Sequence, residues 1–188
     1  KYIGLIDNKH EILEFKMNKK YIVCRDEYNL NIYKFDTLSF EYSIIYKNIC
    51  NFDLSIHMNM VVYSNIEGYI QIYDIDKDNN KNFKAHNNKI QYVKLSNNGL
   101  YVASVSENGR KIKVYNSLSG SIVKEFIRGI YMSEIVNIEF DLTCVYLLVY
   151  SITGTVHIYD IMSKNTEMSI NKISNYLLNY NVVNYEYS

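Results

Sequence analysis

Three features of the sequence predict an all-β fold, a WD40-type β-propeller of about four four-stranded antiparallel blades. First, a β-branched residue followed by tyrosine recurs at regular intervals, so that successive tyrosines are 40, 42 and 44 residues apart. These are Tyr33, Tyr73, Tyr115 and Tyr159. Second, a glycine precedes three of the four, at Gly68, Gly109 and Gly154. Third, Asn-rich and Gly-rich turns separate short runs of β-forming residues. A repeat of this length is typical of propeller blades, whereas an ordinary β-sandwich would match it four times only by chance.

The third repeat, residues 83–129, shows the predicted strands most clearly. Its strands are KIQYVKLS, LYVASVS, KIKVY and SIVKEF. Turns at residues 97–99 and 107–109 each end in Asn-Gly, a pair that favours tight reversals of the chain. In this repeat the closing tyrosine lies six positions after the turn glycine, whereas in the second and fourth repeats it lies five positions after it.

The other repeats follow in order, and together they predict a single partial propeller over residues 1–188. We expect blades at about 10–48, 49–84, 85–129 and 130–162. Residues 1–9 are expected to supply the last strand of a preceding blade, and residues 163–188 to form a loop or tail longer than a hairpin needs. Four blades would leave both ends open, so a larger propeller is expected, of which this chain is a fragment of about half.

Composition narrows the class of function. With 20 basic and 20 acidic side chains, the chain has a neutral charge balance that argues against a nucleic-acid-binding surface. Three widely spaced cysteines predict reduced core thiols of an intracellular protein. Five lysines are expected on a solvated face, namely Lys77, Lys81, Lys84, Lys89 and Lys94. No phosphate-cradling glycine loop, metal-ligand spacing or nucleophile elbow occurs, so the sequence predicts neither an enzyme nor a cofactor.

From AHNNKIQYVKLSNNGLYVASVSENGRKIKVYN through VKEFIRG to VNIEFDLTCVYLLVYSITGTVHIYDI, the sequence resembles the PROPPIN family. The segments KMNKKYIV and LNIYKF extend the resemblance upstream, so that it covers the chain to about residue 162. It implies blades three to six of a seven-bladed propeller that binds phosphoinositides in autophagy and endolysosomal trafficking. The family hallmark, Phe/Leu-Arg-Arg-Gly, is here Phe126-Ile127-Arg128-Gly129.

The resemblance implies two headgroup pockets on the propeller rim. The second keeps its residues, which are Arg128, Gly129, Ser151, Thr155 and His157. The first keeps His86 and Ser106 but has Ile127, Arg110 and Lys113 where the family has an arginine, a threonine and another arginine. Arginine gives a phosphate a bidentate contact that lysine does not reproduce, so we expect one competent pocket and one weak or lost pocket.

A purely structural role is the alternative to ligand binding for His86, His157 and Arg128. His86 is equally suited to a hydrogen bond with a strand serine such as Ser104. His157 also fits an outward-facing strand position, and Arg128 fits the end of a surface strand. The combination of Arg128 with Thr155 and His157 across adjacent blades favours ligand binding.

The segment after Ile161 stands where the family has a membrane-inserting loop. Its membrane-contacting residues are expected to be Ile173, Tyr176, Leu177 and Leu178, with Lys164 and Lys172 near anionic headgroups. The resemblance thus predicts a scaffold for phosphatidylinositol 3-phosphate, or the 3,5-bisphosphate, with autophagy-type protein partners. Such a protein is cytoplasmic and peripheral on endosomal, vacuolar or autophagosomal membranes. The alternative is a WD-repeat interaction scaffold without lipid binding.

Overall fold

The computed structural model describes residues 2–45 and 48–163. The regular structure in these ranges is entirely β. The first two groups of strands are β1 (Glu14–Met17), β2 (Tyr21–Arg25), β3 (Asn29–Lys34), β4 (Phe40–Ile45), β5 (Ile49–Leu54), β6 (Met60–Asn65), β7 (Tyr69–Asp74) and β8 (Asn79–Lys84). The last two are β9 (Ile90–Leu95), β10 (Tyr101–Ser106), β11 (Lys111–Asn116), β12 (Ile122–Ile127), β13 (Ile135–Phe140), β14 (Tyr146–Ser151) and β15 (Val156–Asp160). None of the described residues forms a helix that could cross a membrane.

Consecutive strands pair antiparallel into four separate sheets, as the repeat predicts. The sheets are β1–β4, β5–β8, β9–β12 and β13–β15, the last with three strands among the described residues. The first strand of each sheet contacts the first strand of the next: β1 lies against β5, β5 against β9, and β9 against β13. This succession of inner strands is the arrangement of propeller blades about an axis, and the predicted fold class is confirmed.

The hydrophobic core lies between neighbouring sheets. One buried cluster joins β2 and β3 to β5 and β6, a second joins the second sheet to the third, and a third joins the third sheet to the fourth. The recurrent tyrosines contribute to these layers from the third strand of each sheet; Tyr115, for example, donates its hydroxyl to the carbonyl of Ala85, 3.0 Å away. Burial of the flat apolar ring between sheets explains why the repeat places an aromatic residue there; the buried Tyr159 hydroxyl, unlike that of Tyr115, has no hydrogen-bond partner among the described residues.

A bulge in β9 changes which side chains face the core. The register with β10 shifts between Val105 and Ser106, so that Ile90 pairs with Ser106 while Tyr92 pairs with Val105. Ile90 and Val93 are therefore both buried although strict alternation would put them on opposite faces. The extra residue in the bulge is Gln91, whose Oε1 accepts the Ile135 N–H of the next sheet at 3.2 Å.

Polar side chains also tie the inner strands together. Asp53 on β5 accepts the Leu95 N–H at 3.0 Å, and Lys94 Nζ lies 2.8 Å from Glu139 and 3.7 Å from Asp53. Lys94 thus links three sheets through carboxylates, and the expectation that it is a solvated loop residue is wrong. Because Lys94 and Asp53 are largely buried, this ion pair helps to hold neighbouring blades in a fixed position relative to one another.

Residues 2–9 differ from the expectation of a blade strand, because they form no strand. Side chains, and not a backbone ladder, hold this segment against the first sheet. Asn8 Oδ1 accepts hydrogen bonds from Asn31 Nδ2 at 2.9 Å and from the Tyr33 hydroxyl at 2.8 Å. Of the cysteines, Cys24 and Cys144 are buried and Cys50 is half-buried, and all three are free thiols.

Candidate functional site

The candidate site residues lie on both sides of the segment that leads from β12 to β13. This segment runs beside the turn between β10 and β11. Arg128 N donates to the Arg110 carbonyl at 2.8 Å, and Ser133 N donates to the Asn108 carbonyl at 3.3 Å. The segment therefore separates a group of polar residues on the third sheet from another on the fourth.

A cleft of about 360 Å³ opens on the third sheet and is lined by all four residues proposed for the first pocket. These are His86, Ser106, Arg110 and Lys113. Ile127 also lines it, at the position of the missing arginine, with Asn87, Asn88, Asn108 and Lys111. Sequence reasoning missed Lys111 and the three asparagines; their position in polar turns next to His86 and Arg110 was the available signal.

The positive charge of this cleft is partly neutralised. Lys111 Nζ lies 2.7 Å from a Glu125 oxygen, which lowers the pKa of that carboxyl, and Lys113 Nζ lies 3.8 Å from the other oxygen. Lys113 also donates to the Ala85 carbonyl at 2.8 Å. Arg110 is exposed and makes no ion pair with a described residue. It is thus the cation in this cleft that an anion reaches without competing against Glu125.

His86 has the structural hydrogen bond that was its alternative role, although it also lines the cleft. Its Nε2 lies 2.9 Å from the Ser104 hydroxyl oxygen, and its ring is buried. Burial, and secondarily the charge of Lys113, lowers the pKa of His86 from 6.5 to about 4. The imidazole is therefore neutral at pH 7, where it offers a phosphate a hydrogen bond but no charge.

Acidification is expected to destabilise the fold through His86. Between pH 4 and 6.5 the unfolded chain binds a proton at this residue and the folded chain does not, so stability rises with pH over that window. A pKa lowered from 6.5 to about 4 corresponds to a loss of roughly 3 kcal/mol on going from pH 7 to below pH 4. Urea unfolding of wild type and His86→Gln at several pH values measures the effect. The difference in unfolding free energy between the two should shrink as pH falls, and parallel profiles would contradict the assignment.

Hydroxyl groups form a cluster at the end of the fourth sheet. The buried Ser151 hydroxyl lies 2.7 Å from that of Thr155 and 2.8 Å from that of Thr153. Ser151 ends β14, and Thr155 lies just before β15 in the tight turn that Gly154 makes with a φ of 79°. Thr153 was not among the predicted residues; the alternation of hydroxyl residues at 151, 153 and 155 was the signal for it. The exposed Thr153 and Thr155 hydroxyls are rotatable donors of the kind that bind phosphate oxygens, and the buried Ser151 hydroxyl contacts both of them.

The Arg128 guanidinium holds two backbone carbonyls and lies close enough to His157 to affect it. Its Nε donates to the Gly109 carbonyl at 2.6 Å, and one Nη donates to the Tyr131 carbonyl at 2.9 Å. Burial, and then the positive charge of Arg128, lowers the pKa of His157, whose ring lies parallel to that of Tyr159 with centroids 6.1 Å apart. Three of the five guanidinium N–H groups are not used by these carbonyls and remain for an anion.

Gly129 was also predicted to belong to the headgroup site. Gly129 is half-buried, and a Cβ there would meet nothing within 4 Å, so packing does not require glycine at this position. Open space beside Arg128 leaves room for a ligand to approach.

The predicted membrane-contacting residues Ile173, Tyr176, Leu177 and Leu178, together with Lys164 and Lys172, lie outside the described residues.

Comparisons with known proteins bear on the family. The chain is 32% identical over 157 residues to Autophagy-related protein 18 of Dictyostelium discoideum, a match that covers 80% of this chain and 42% of that protein. The chain is a homologue of the PROPPIN propellers. The resemblance seen in the sequence is thereby confirmed, although no family model matches the chain.

Solved PROPPIN structures agree with the fold. The crystal structure of Hsv2 from Kluyveromyces marxianus superimposes with a TM-score of 0.79 at 24% identity, over 90% of this chain and 58% of that chain. The complex of KlAtg21 with the coiled coil of AgAtg16 gives a TM-score of 0.76 at 21% identity, over 86% and 56%. At these identities the superpositions establish the propeller fold. The chain spans about half the length of the PROPPINs that it matches.

Proposed function

We propose that this chain binds the headgroup of phosphatidylinositol 3-phosphate and acts as a membrane-recruited scaffold in autophagy or endolysosomal trafficking. The observation that carries the proposal is that Arg128 lies close enough to His157 on β15 to affect its pKa. The Ser151, Thr153 and Thr155 hydroxyls contact one another at the turn just before that strand. A fixed cation next to neutral donors suits a phosphate monoester, because the arginine supplies charge and the hydroxyls supply hydrogen bonds.

Each group has a separate role in this proposal. The unused N–H donors of Arg128 contact the phosphate, and the hydroxyl cluster accepts and donates to its oxygens and to the inositol hydroxyls. Binding of a dianion opposes the effect of Arg128 on His157, so the pKa of His157 rises in the complex. The imidazolium so favoured becomes a second cation for the headgroup.

The first cleft has a weaker role. Its exposed cation is Arg110, and Glu125 partly neutralises Lys111 and Lys113. The exposed Ile127 side chain offers no donor at the position where the family has an arginine. His86, with its hydrogen bond to Ser104, supports the wall of the cleft more than it supplies charge. We therefore assign the larger share of headgroup affinity to the Arg128 side.

Localisation and partners follow from the same proposal. A headgroup contact on the rim of a propeller makes the protein cytoplasmic and peripheral on endosomal, vacuolar or autophagosomal membranes. The KlAtg21–AgAtg16 complex supports autophagy-type protein partners that include coiled coils. The predicted contacts of Ile173, Tyr176, Leu177 and Leu178 with the bilayer remain part of the proposal. A scaffold acts by binding, so no catalytic role is proposed.

A second candidate is a WD-repeat scaffold that does not bind lipid. The observation that favours it is the loss of arginine at Ile127 together with the use of Arg128 as a ligand of two backbone carbonyls. In this case the exposed rim would serve protein contacts alone.

Vesicle flotation separates the two functions. We expect the chain to float with vesicles that contain phosphatidylinositol 3-phosphate at least tenfold more than with vesicles of equal negative charge made with phosphatidylserine, because the cluster recognises a monoester and not charge alone. Vesicles with phosphatidylinositol 4-phosphate serve as a second control at matched charge. Equal flotation in all three preparations, or none, would favour the scaffold without lipid binding.

A further inference from the structure

Large apolar side chains extend into solvent beside both candidate headgroup sites. Three of them follow one another between β12 and β13, with exposed fractions of 78% for Ile130, 83% for Tyr131 and 67% for Met132. We call these three residues the apolar turn. Ile127, 71% exposed at the end of β12, lies just before them and also lines the first cleft. A contiguous exposed apolar surface of this kind marks a contact with a membrane or another molecule.

The backbone of the apolar turn is anchored although its side chains are exposed. Arg128 donates a guanidinium N–H to the Tyr131 carbonyl at 2.9 Å, and Ser133 N donates to the Asn108 carbonyl at 3.3 Å. Because Arg128 N also bonds to the Arg110 carbonyl, the residues that flank the apolar turn on both sides are tied to the turn between β10 and β11. Anchoring removes much of the entropic cost of ordering a loop at an interface.

Charged side chains of both signs lie near the apolar turn. Ile127 is the register partner of Lys111, and Arg128 N bonds to the Arg110 carbonyl. Glu125 offsets the charge of Lys111, and the exposed Glu107 and Glu134 lie at the edges of this region. Arg110 and Arg128 make no ion pair with a described residue. Apolar residues next to arginines that form no ion pair with a described residue match the two layers of an anionic bilayer, whose charged headgroups lie directly above its acyl chains.

We propose that the apolar turn inserts into the interfacial region of an anionic bilayer while the neighbouring arginine sites hold headgroup phosphates. This inference rests on the proposed function and adds a second element of membrane contact, on residues distinct from the segment after Ile161. A single headgroup contact gives weak binding, and an apolar anchor in the same rigid surface raises the affinity through avidity.

The absence of tryptophan from the chain allows a direct test. In the variant Tyr131→Trp, excitation at a wavelength that tyrosine does not absorb reports on position 131 alone. The matched control is Met17→Trp, at an exposed position on β1 of the first sheet, away from both the apolar turn and the fourth sheet that precedes the segment after Ile161. Vesicles of phosphatidylcholine and phosphatidylserine, with and without phosphatidylinositol 3-phosphate, serve as the probe, and brominated acyl chains as the quencher.

The expected result is a blue shift and quenching of the Tyr131→Trp emission on vesicles that contain the 3-phosphorylated lipid, with the Met17→Trp emission unchanged. If the Tyr131→Trp variant floats with these vesicles while its indole stays in water, the inference is wrong and the proposed function stands. If the protein does not bind the vesicles, both are wrong. A blue shift in this variant that grows with protein concentration and needs no vesicles would show self-association instead, and would also overturn the inference.

A double substitution separates insertion from headgroup recognition. We expect Ile130→Ser with Met132→Ser to lower vesicle affinity about tenfold or more, since each apolar group transferred to the acyl boundary contributes to binding. Binding of the water-soluble headgroup inositol 1,3-bisphosphate should stay within about twofold of wild type, and Met17→Ser on the first sheet should change neither affinity. Equal loss of vesicle and soluble headgroup binding would contradict an anchoring role, and unchanged vesicle binding would do the same.

Discussion

Replacing Arg128 with alanine is expected to lower the affinity for vesicles containing phosphatidylinositol 3-phosphate by about 100-fold. Charge-assisted hydrogen bonds contribute about 1.5–3 kcal/mol each, and a factor of ten corresponds to about 1.4 kcal/mol. The substitution also frees the Gly109 and Tyr131 carbonyls, both of which accept from the guanidinium. Flotation over a range of lipid concentrations measures the effect.

Two control variants separate the parts of this effect. Arg128→Lys keeps the charge but loses the planar fork, so we expect it to recover no more than about a tenth of the wild-type affinity. Arg110→Ala removes an exposed arginine on the other side of the same segment and should cost less than about tenfold, because the first cleft has a weaker role. Equal losses for Arg110→Ala and Arg128→Ala would mean that net charge, and not a specific pocket, governs binding.

Glycine-to-alanine changes at Gly109 and Gly154 are expected to differ strongly in their effect on stability. Both residues have left-handed backbones, with φ of 62° and 79°, which cost an alanine about 1 kcal/mol. A Cβ at Gly109 would lie 1.8 Å from the Ser133 carbonyl oxygen, whereas at Gly154 it would meet nothing within 4 Å. Because the obstacle at Gly109 is backbone, Gly109→Ala should lose at least about 3 kcal/mol and Gly154→Ala about 1 kcal/mol.

Urea unfolding of the two variants measures this difference, and the site offers a second readout. A shift of the backbone at Gly109 displaces the carbonyl that Arg128 Nε contacts, so Gly109→Ala should also weaken lipid binding where it still folds. Similar unfolding free energies for the two variants would show that the segment from Arg128 to Ser133 does not pack against the turn as described.

Regular repetition is the part of the fold that sequence patterns predict well. Tyrosine at a fixed place in each third strand, and glycine in the turn before three of these strands, locate the sheets, because strand alternation and turn geometry are local properties of the sequence. The bulge at Gln91 and the bridge from Asp53 through Lys94 to Glu139 were not predictable. Both depend on contacts between sheets, and a lysine in an alternating strand has the same local pattern whether it meets water or a buried carboxylate.

The candidate site, like the fold, can be predicted from the sequence only in part. A resemblance to PROPPINs groups Arg128 with Ser151, Thr155 and His157. In the structure, the charge of Arg128 acts together with burial to lower the pKa of His157, which is 29 positions away in the sequence. The resemblance does not give the hydrogen bonds of Arg128 to two carbonyls or the ion pair of Lys111 with Glu125, because those depend on side-chain placement. The exposure of the apolar turn could not be predicted either, because a short apolar run in a sequence usually indicates a buried segment.

The central claim is that a 3-phosphorylated headgroup contacts Arg128 and His157, and NMR of the histidine rings tests it most directly. The chain has four histidines, so His157→Gln assigns the signal of His157. Titration with inositol 1,3-bisphosphate should move that signal and raise the pKa of His157, which burial and Arg128 keep low in the free protein. Inositol 1-phosphate should move it far less, and Arg128→Ala should abolish the response. A His157 signal that stays fixed while the headgroup saturates the protein would contradict the claim.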